Sequence, residues 1–136
     1  MITQFFMPMN PPTATHQERR LGVRNGKPYT YEPPAVAEAR AKLEAALAGH
    51  APAKPYAQGV QLTVKWCFRA DRTHPENSWR TTKPDTDNLQ KLLKDCMTRV
   101  GFWTDDALVA SEIVQKFYSR IPGLFIRVEP LEEAIA

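Results

Sequence analysis

The sequence predicts an α+β fold in two layers, with a mixed β-sheet and two helices packed on one of its faces. Three observations support this prediction: one segment alternates apolar and polar residues as a half-buried strand does, two segments have the composition or the periodicity of helices, and all 12 prolines fall outside these segments. A chain of 136 residues has the length of one domain, so we expect residues 1–136 to form a single domain.

The N-terminal region is predicted to contain two short strands. Residues 2–7 are mostly apolar and predict the first strand. The polar residues 8–26 contain prolines and end in Asn25 and Gly26, a pair that strongly favours a turn. The next strand, also a short one, is predicted at Lys27–Tyr31.

The first helix is predicted at residues 35–48. Pro33 and Pro34 suit a helix start, because a proline at the first helical position loses no hydrogen bond within the helix. The segment that follows is rich in Ala, Glu, Leu and Lys, which favour a helix, and Gly49 is a C-terminal stop.

The clearest strand pattern covers residues 60–69. Apolar side chains alternate along it with more polar ones, and the apolar face consists of Val60, Leu62, Val64, Trp66 and Phe68. The opposite face carries two cations, Lys65 and Arg69. This pattern predicts a half-buried strand with one polar face.

After a polar loop at residues 70–83, the spacing of apolar residues predicts a second helix over residues 86–100. Six apolar side chains recur at i, i+3, i+4, i+7, i+8 and i+11 and so form one stripe: Leu89, Leu92, Leu93, Cys96, Met97 and Val100. Gly101 closes this helix. Residues 108–118 and 124–128 predict two further strands joined by a turn, which gives the order β-β-α-β-α-β-β.

The charges are unevenly distributed. The whole chain carries +3, from 18 basic and 15 acidic residues. Three of the acids lie in the last eight residues, so residues 1–128 carry 18 basic and 12 acidic groups, a net charge of +6. Four of these acids form two tight pairs, Asp85 with Asp87 and Asp105 with Asp106. A basic body with clustered carboxylates suits a metal-dependent enzyme that acts on a polyanion, although composition alone favours a soluble protein with aspartates in turns.

Composition argues against several classes of protein. No apolar run approaches the length of a membrane span, and the N-terminal residues lack the basic leader of a signal peptide. Cys67 and Cys96 are too few for a disulfide framework, and neither they nor the three scattered histidines have the spacing of a zinc site. We therefore expect a cytoplasmic protein with reduced thiols and no membrane partner.

The segment KPDTDNLQK at residues 83–91 is the richest in groups that can do chemistry. Pro84 favours an extended backbone at the residue before it. With an extended entry to the helix, the side chains of Asp85 and Asp87 would converge at the helix start and suit a hard cation that takes oxygen ligands. Asp87 and Lys91 are four residues apart, on the face opposite the apolar stripe.

The alternative role of this segment is structural. An aspartate at a helix N-terminus is commonly a cap that contributes about 1 kcal/mol, and Asp87 with Lys91 could be a surface ion pair. The pattern Asp-x-Asp-Asn, taken alone, favours the capping role. An EF-hand is excluded because, counted from Asp85, Gln90 and Cys96 stand where that loop requires Gly and Glu.

A second acidic segment, GFWTDDA at residues 101–107, follows the second helix. Adjacent aspartates between two elements are usually solvated turn residues. Here Phe102 and Trp103 would anchor the loop by burial and fix where Asp105 and Asp106 point. The loop leaves the far end of the helix, about 15 Å or more from its start. Spacing alone therefore leaves open whether Asp106 reaches the first acidic pair.

Together the two segments resemble the RusA family of Holliday-junction resolvases, small endonucleases of bacteria and their prophages. The family pattern is basic-x-Asp-x-Asp-Asn-x-x-Lys, a helix, then Trp-x-Asp-Asp and a strand with basic residues. Residues 83–118 match both halves of this pattern with the right separation. Residues 2–69 fit in the order of their elements and in the paired prolines near the start. The resemblance implies a RusA-like endonuclease domain.

The resemblance also implies a homodimer with an acidic Mg²⁺ site in each subunit, in which Mn²⁺ could substitute, and no small-molecule cofactor. By position in the motif, Asp85, Asp87 and Asp106 would bind the metal. Lys91 would be the essential lysine, which completes the catalytic set, and Asp105 would be an additional acid.

Phosphate contacts are expected from basic residues in several places. The basic N-terminal loop of the family aligns with residues 19–27, where this chain has fewer aromatic and basic groups than the family leads us to expect. The strand at residues 60–69, the polar loop that follows it and the strand at residues 108–118 supply further cations. The DNA-binding candidates are Arg19, Arg20, Arg24, Lys27, Arg69, Arg72, Arg80, Lys83 and Lys116.

The function that the resemblance implies is that of a Mg²⁺-dependent, structure-selective endodeoxyribonuclease. Such an enzyme resolves four-way (Holliday) junctions by paired symmetric nicks during recombination and repair. Two alternatives stay open: a nuclease that prefers flaps, forks or replication intermediates, and a non-catalytic module for branched DNA in which the acids only cap and turn. The intact set of three aspartates and one lysine argues against the non-catalytic module.

Overall fold

The structure is a computed structural model that describes residues 1–15 and 20–132. These residues form six β-strands, two α-helices and a short 3₁₀ helix, and no helix among them is both long and apolar enough to cross a membrane. The α+β class, with a mixed sheet and two helices, is confirmed. In chain order the elements are β1 (Thr3–Pro8), β2 (Arg20–Arg24), β3 (Lys27–Tyr31), α1 (Pro34–Ala48), β4 (Val60–Arg69), α2 (Thr86–Val100), the 3₁₀ helix (Asp106–Leu108), β5 (Val109–Ser119) and β6 (Gly123–Pro130).

The larger sheet has the strand order β1-β6-β4-β5. Its central strand β4 pairs in parallel with β5 and antiparallel with β6, so that Val64 lies between Val114 and Ile126. α2 connects the two parallel strands and therefore runs antiparallel to both. As a result, the first residues of β5 lie near the end of α2, and the last residues of β5 lie near its start.

The core lies between this sheet and the two helices. The apolar face predicted for β4 is fully buried at four positions, Val60, Leu62, Val64 and Trp66. These residues belong to one hydrophobic cluster with side chains of both helices, such as Leu43 of α1 and Leu92 of α2. The predicted polar face of β4 carries the half-buried Lys65 and the exposed Arg69. One face of the sheet is thus committed to the core, and α2 is fixed in place against it.

α2 has the bounds that its apolar spacing predicts. Five of the six stripe residues are fully buried, and Val100 is half-buried. Gly101 ends the helix in the left-handed region, at φ 97°, and its N–H donates to carbonyl oxygens of the last turn. A side chain would be strained at this φ, so glycine suits the position. The opposite face of α2 keeps Asp87 and Lys91 exposed.

The N-terminal region differs from the prediction. The sequence predicted residues 8–26 as a polar segment, but its last part forms β2, which pairs with β3 in a separate two-stranded antiparallel sheet. Asn25 and Gly26 form the predicted turn, with φ values of 53° and 74°. β2 gives little sequence signal because its apolar side chains Leu21 and Val23 are 76% and 75% exposed. An exposed strand has no buried face to impose alternation on its residues.

The two cysteines are core residues. Cys67 and Cys96 are both buried, and they are not joined to each other. Burial raises the pKa of the Cys96 thiol to about 12 and also raises the pKa of the Cys67 thiol. Both sulfurs therefore stay protonated at neutral pH and pack as small apolar groups.

Candidate active site

The first acidic pair lies at the start of α2, as the sequence predicts. Asp85 directly precedes the helix with an extended backbone (φ −72°, ψ 152°), and Asp87 lies in the first turn. Both side chains are exposed. Although Asp85 stands at the N-cap position, its side chain accepts no capping hydrogen bond within the described part of the chain. The capping role is therefore wrong for Asp85, and its carboxylate stays open to a ligand.

Two cations hold the chain just before this pair. The Lys116 ammonium of β5 donates to the carbonyl oxygens of Thr82 (2.8 Å) and Pro84 (2.7 Å). The Arg80 guanidinium donates to the carbonyl oxygen between them, that of Lys83, at 2.6 Å. The sequence predicted both cations as contacts to DNA phosphates, but the partners that the structure gives them are backbone carbonyls.

Lys116 also interacts electrostatically with Asp85. Partial burial lowers the pKa of Lys116 below the ordinary lysine value, and the positive charge of Arg80 lowers it further. The Asp85 carboxylate acts in the opposite direction and raises the pKa of Lys116. These three side chains thus form one charge cluster at the N-terminal end of α2.

A cavity of about 480 Å³ lies along α2, beside β5 and the 3₁₀ helix. It brings together three of the four predicted catalytic residues, since Asp87, Lys91 and Asp106 all line it. Asp85 directly precedes Thr86, another lining residue. The chain returns along α2, so Asp106 of the second acidic pair lines the same cavity as Asp87 of the first. The other lining residues are Gln90, Lys94, Asp95, Glu112 and Val114.

The donor set at this cavity suits a hard cation. Asp87 and Asp106 offer carboxylate oxygens, and Asp95 and Glu112 are two further acids in the lining. Within the part of the chain that the structure describes, however, no three Asp, Glu, His or Cys side chains lie close enough to enclose a metal ion. Mg²⁺ is usually bound by one or two carboxylates and completes its shell with water and substrate phosphates. The predicted ligands fit Mg²⁺ as an open site and not as a closed cage.

Sequence reasoning missed a polar network along this cavity. Trp66 of β4 donates its indole N–H to Gln90 Oε1 at 2.7 Å, and the Gln90 amide donates to Glu112 Oε2 at 2.7 Å. Lys94 pairs with the other oxygen of Glu112 at 3.0 Å. Gln90 is polar but only 3% exposed, so these partners satisfy it inside the core. The sequence did carry one sign of this network: Glu112 is a charged residue on the same strand face as the apolar Val114.

The second acidic pair lies in a loop that is anchored as predicted. Phe102 is fully buried, Trp103 is 1% exposed, and the Trp103 indole N–H donates to a hydroxyl of α2 at 2.7 Å. Asp105 caps the 3₁₀ helix, because its carboxylate accepts the Ala107 N–H at 2.8 Å. Asp106 begins that helix and is half-buried in the cavity described above. The two neighbours thus differ: Asp105 shapes the loop, and Asp106 faces the cavity.

The remaining DNA-binding candidates lie in two places. Arg24 and Lys27 flank the hairpin turn and are exposed, with the Arg24 guanidinium 5.1 Å from the centroid of the Tyr29 ring. Arg20 begins β2, and Arg19 lies outside the described residues. The other exposed cations of the set are at the end of β4 and in the loop that follows it: Arg69, Arg72 and Lys83.

Comparison with known proteins gives the family of this chain. The family model of the endodeoxyribonuclease RusA matches residues 8–129. The crossover junction endodeoxyribonuclease RusA of Lactococcus phage r1t is 30% identical to this chain over 69 residues, which cover 49% of this chain and 53% of the relative. The chain thus spans about half the length of this curated relative. Because the family model matches most of the chain, the chain belongs to the RusA endodeoxyribonuclease family.

Proposed function

We propose that this chain is a Mg²⁺-dependent endodeoxyribonuclease that resolves four-way DNA junctions by paired symmetric nicks. The observation that carries the proposal is the cavity along α2, which is lined by Asp87, Lys91 and Asp106 and lies beside the uncapped Asp85. Phosphodiester hydrolysis needs a cation at the phosphate and a positive group for the charge that develops on it, and this set can provide both. Family membership and the name of the phage relative support DNA junctions as the substrate.

The acidic residues are proposed as the metal ligands. Asp85, Asp87 and Asp106 are the proposed ligands. As they stand in the described part of the chain they do not enclose an ion, so DNA phosphate and water would complete its shell. When bound, Mg²⁺ supplies Lewis-acid polarisation of the scissile phosphate and offsets charge on the leaving oxygen. The chain itself positions these groups: the extended backbone at Asp85 aims the first pair, and the buried Phe102 and Trp103 fix the loop that carries Asp106.

Lys91 is proposed to act on the phosphate directly. It lies about one helical turn after Asp87, lines the same cavity and is exposed. As water attacks phosphorus and a P–O bond breaks, negative charge grows on the phosphate oxygens. We infer that the Lys91 ammonium stabilises this charge, a role whose loss usually costs about 10²- to 10³-fold in rate.

Two copies of the chain are proposed to act together. A four-way junction presents two symmetric strands for cleavage, and a two-fold homodimer has one site for each of them. The exposed cations at the hairpin turn and beyond β4 are proposed to contact DNA phosphates. We expect this activity in the cytoplasm, with Mn²⁺ able to replace Mg²⁺.

Cleavage of a synthetic mobile four-way junction tests the proposal. We expect the wild type to nick two opposed strands in Mg²⁺ and to make no product in EDTA. Asp85→Asn should cut at least about 100-fold more slowly, because it removes a carboxylate from the site. Glu76→Gln removes an exposed loop carboxylate outside the cavity and should cut at the wild-type rate. A wild-type rate for Asp85→Asn would show that the catalytic assignment is wrong.

The same assay separates the alternative functions. A flap, a fork and a linear duplex are compared with the junction at equal concentration. A preference for the junction supports the resolvase, and a preference for flaps or forks would make replication intermediates the substrate. Junction binding that is indifferent to Mg²⁺, with no product at any metal concentration, would identify a non-catalytic DNA-binding module.

A further inference from the structure

We propose that Lys116 is a positioning residue of the active site, which together with Arg80 fixes the backbone that presents Asp85. The inference rests on the nuclease function proposed above, and it replaces the phosphate contact that the sequence suggested for both cations. Three successive carbonyl oxygens at the entrance to α2 each accept a hydrogen bond from one of these two side chains. We call these three hydrogen bonds the carbonyl clasp.

The clasp surrounds one short segment. Lys116 Nζ binds the first and third carbonyl oxygens, of Thr82 and Pro84, at 2.8 and 2.7 Å, and a terminal nitrogen of Arg80 binds the second, of Lys83, at 2.6 Å. All three bonds are charge-assisted and are therefore stronger than hydrogen bonds between neutral groups. A loop lacks the hydrogen-bond ladder that holds carbonyls in a helix or sheet, so these bonds determine its conformation.

Lys116 has only one donor left for DNA, and the Arg80 guanidinium packs against an aromatic ring. A lysine ammonium has three N–H donors, and two of those of Lys116 already have carbonyl partners. The Arg80 guanidinium carbon lies 4.2 Å from the centroid of the Phe68 ring, and its Nε is buried with no hydrogen-bond partner in the part of the chain that the structure describes. Arg72 and Lys83, by contrast, are exposed. The geometry thus favours an internal role for the clasp residues.

Lys116, which makes two of the three bonds of the clasp, belongs to the strand that lines the cavity. The backbone N–H of Arg80 donates to the Lys116 carbonyl at 3.0 Å, so the two cations are neighbours at the edge strand β5. Lys116 shares its strand face with Glu112 and Val114, which line the cavity. One rigid strand therefore forms a wall of the cavity and also holds the segment that leads into Asp85.

The test compares Lys116→Met with Lys116→Arg. Met keeps the apolar stem and removes both hydrogen bonds, whereas Arg keeps the charge and can donate to both carbonyls. We expect Met to slow junction cleavage at saturating DNA by about 10- to 100-fold, because small misplacement of a reacting group has an effect of that size. It should also raise the Mg²⁺ concentration for half-maximal rate, and leave junction affinity in EDTA unchanged. Arg should recover most of the rate.

Two further measurements make the result specific. Lys54→Met removes an exposed lysine between α1 and β4, so it controls for the loss of one charge and should behave as the wild type. Hydrogen exchange at residues 81–88 does not depend on cleavage, and it should accelerate in Lys116→Met and return to normal in Lys116→Arg. Lys116→Gln, which is polar and uncharged, enters the same assays if Met lowers the Tm.

Two results would overturn the positioning role. One is weaker junction binding by Lys116→Met with an unchanged rate at saturating DNA, which identifies a phosphate contact. The other is unchanged hydrogen exchange at residues 81–88. If the wild type makes no product in Mg²⁺, the nuclease function fails instead, and the exchange measurement alone then decides whether Lys116 holds this segment.

Discussion

The two acidic pairs look alike in sequence and differ in the structure. Asp85 stands at the N-cap of α2 and accepts no capping bond within the described residues, whereas Asp105 stands at the N-cap of the 3₁₀ helix and accepts the Ala107 N–H at 2.8 Å. Position at a helix start therefore does not decide the role of an aspartate. The role depends on whether the carboxylate already accepts a hydrogen bond from a backbone N–H.

The surroundings of the two pairs explain this difference. The segment before α2 is held by Lys116 and Arg80 through its carbonyl oxygens, so the helix entrance does not depend on Asp85 for its shape. The second loop is held from within the core by Phe102 and Trp103, and it uses Asp105 for its last turn. Of the four acids in the two pairs, Asp105 thus has a structural role as a helix cap.

Among the changes that test the contrast between the two acidic pairs, Asp106→Asn is expected to have the largest effect on the cleavage rate. Asp106 lines the cavity with Asp87, so the loss of its charge should lower the junction-cleavage rate by about 10²- to 10³-fold in Mg²⁺. The Tm should stay near that of the wild type, since Asn has the same shape and the side chain is only half-buried. Rate and Tm are measured on the same preparation. If Asp106→Asn cuts normally, the two pairs do not serve one site.

A loss of stability is the main effect expected from Gln90→Leu. The change leaves the buried Trp66 indole N–H without its acceptor and removes the donor that orients Glu112, which should destabilise the fold by about 1–3 kcal/mol. Urea unfolding measures this. Lys94→Met breaks only the partly exposed ion pair with Glu112 and should lose about 1 kcal/mol or less. Equal losses of unfolding free energy in the two variants would mean that the buried hydrogen bonds of the network add nothing to stability.

The sequence predicted those elements whose patterns come from burial. The bounds of β4 and α2 agree with the structure because each has one face in the core, and burial imposes a period of two or of 3.6 residues. β2 was missed because Leu21 and Val23 are exposed and the strand pairs outside the main sheet. Periodicity carries no information about a strand that buries nothing.

The candidate site was predictable only in part, for a related reason. The motif located Asp87 and Asp106, but only the parallel pairing of β4 with β5 brings them to one cavity. The partners of Gln90 and Lys116 lie more than 20 residues away along the chain, and no local spacing encodes them. Lys116 in particular looks like a phosphate contact in sequence, because a cation on a strand gives no sign that backbone carbonyls surround it.

The smallest effect on cleavage is expected from Asp105→Ala. This change tests most directly whether Asp105 and Asp85 differ in role. It removes the cap of the 3₁₀ helix and should lower the free energy of unfolding by about 1 kcal/mol. The rate at saturating Mg²⁺ should change far less than in Asp106→Asn, because Asp105 is held by its own loop. Asp85→Ala should show the opposite pattern, with cleavage lost and stability kept, since no capping bond is broken. If Asp105→Ala keeps its stability but loses as much activity as Asp106→Asn, Asp105 is a metal ligand and the structural role assigned to it is wrong.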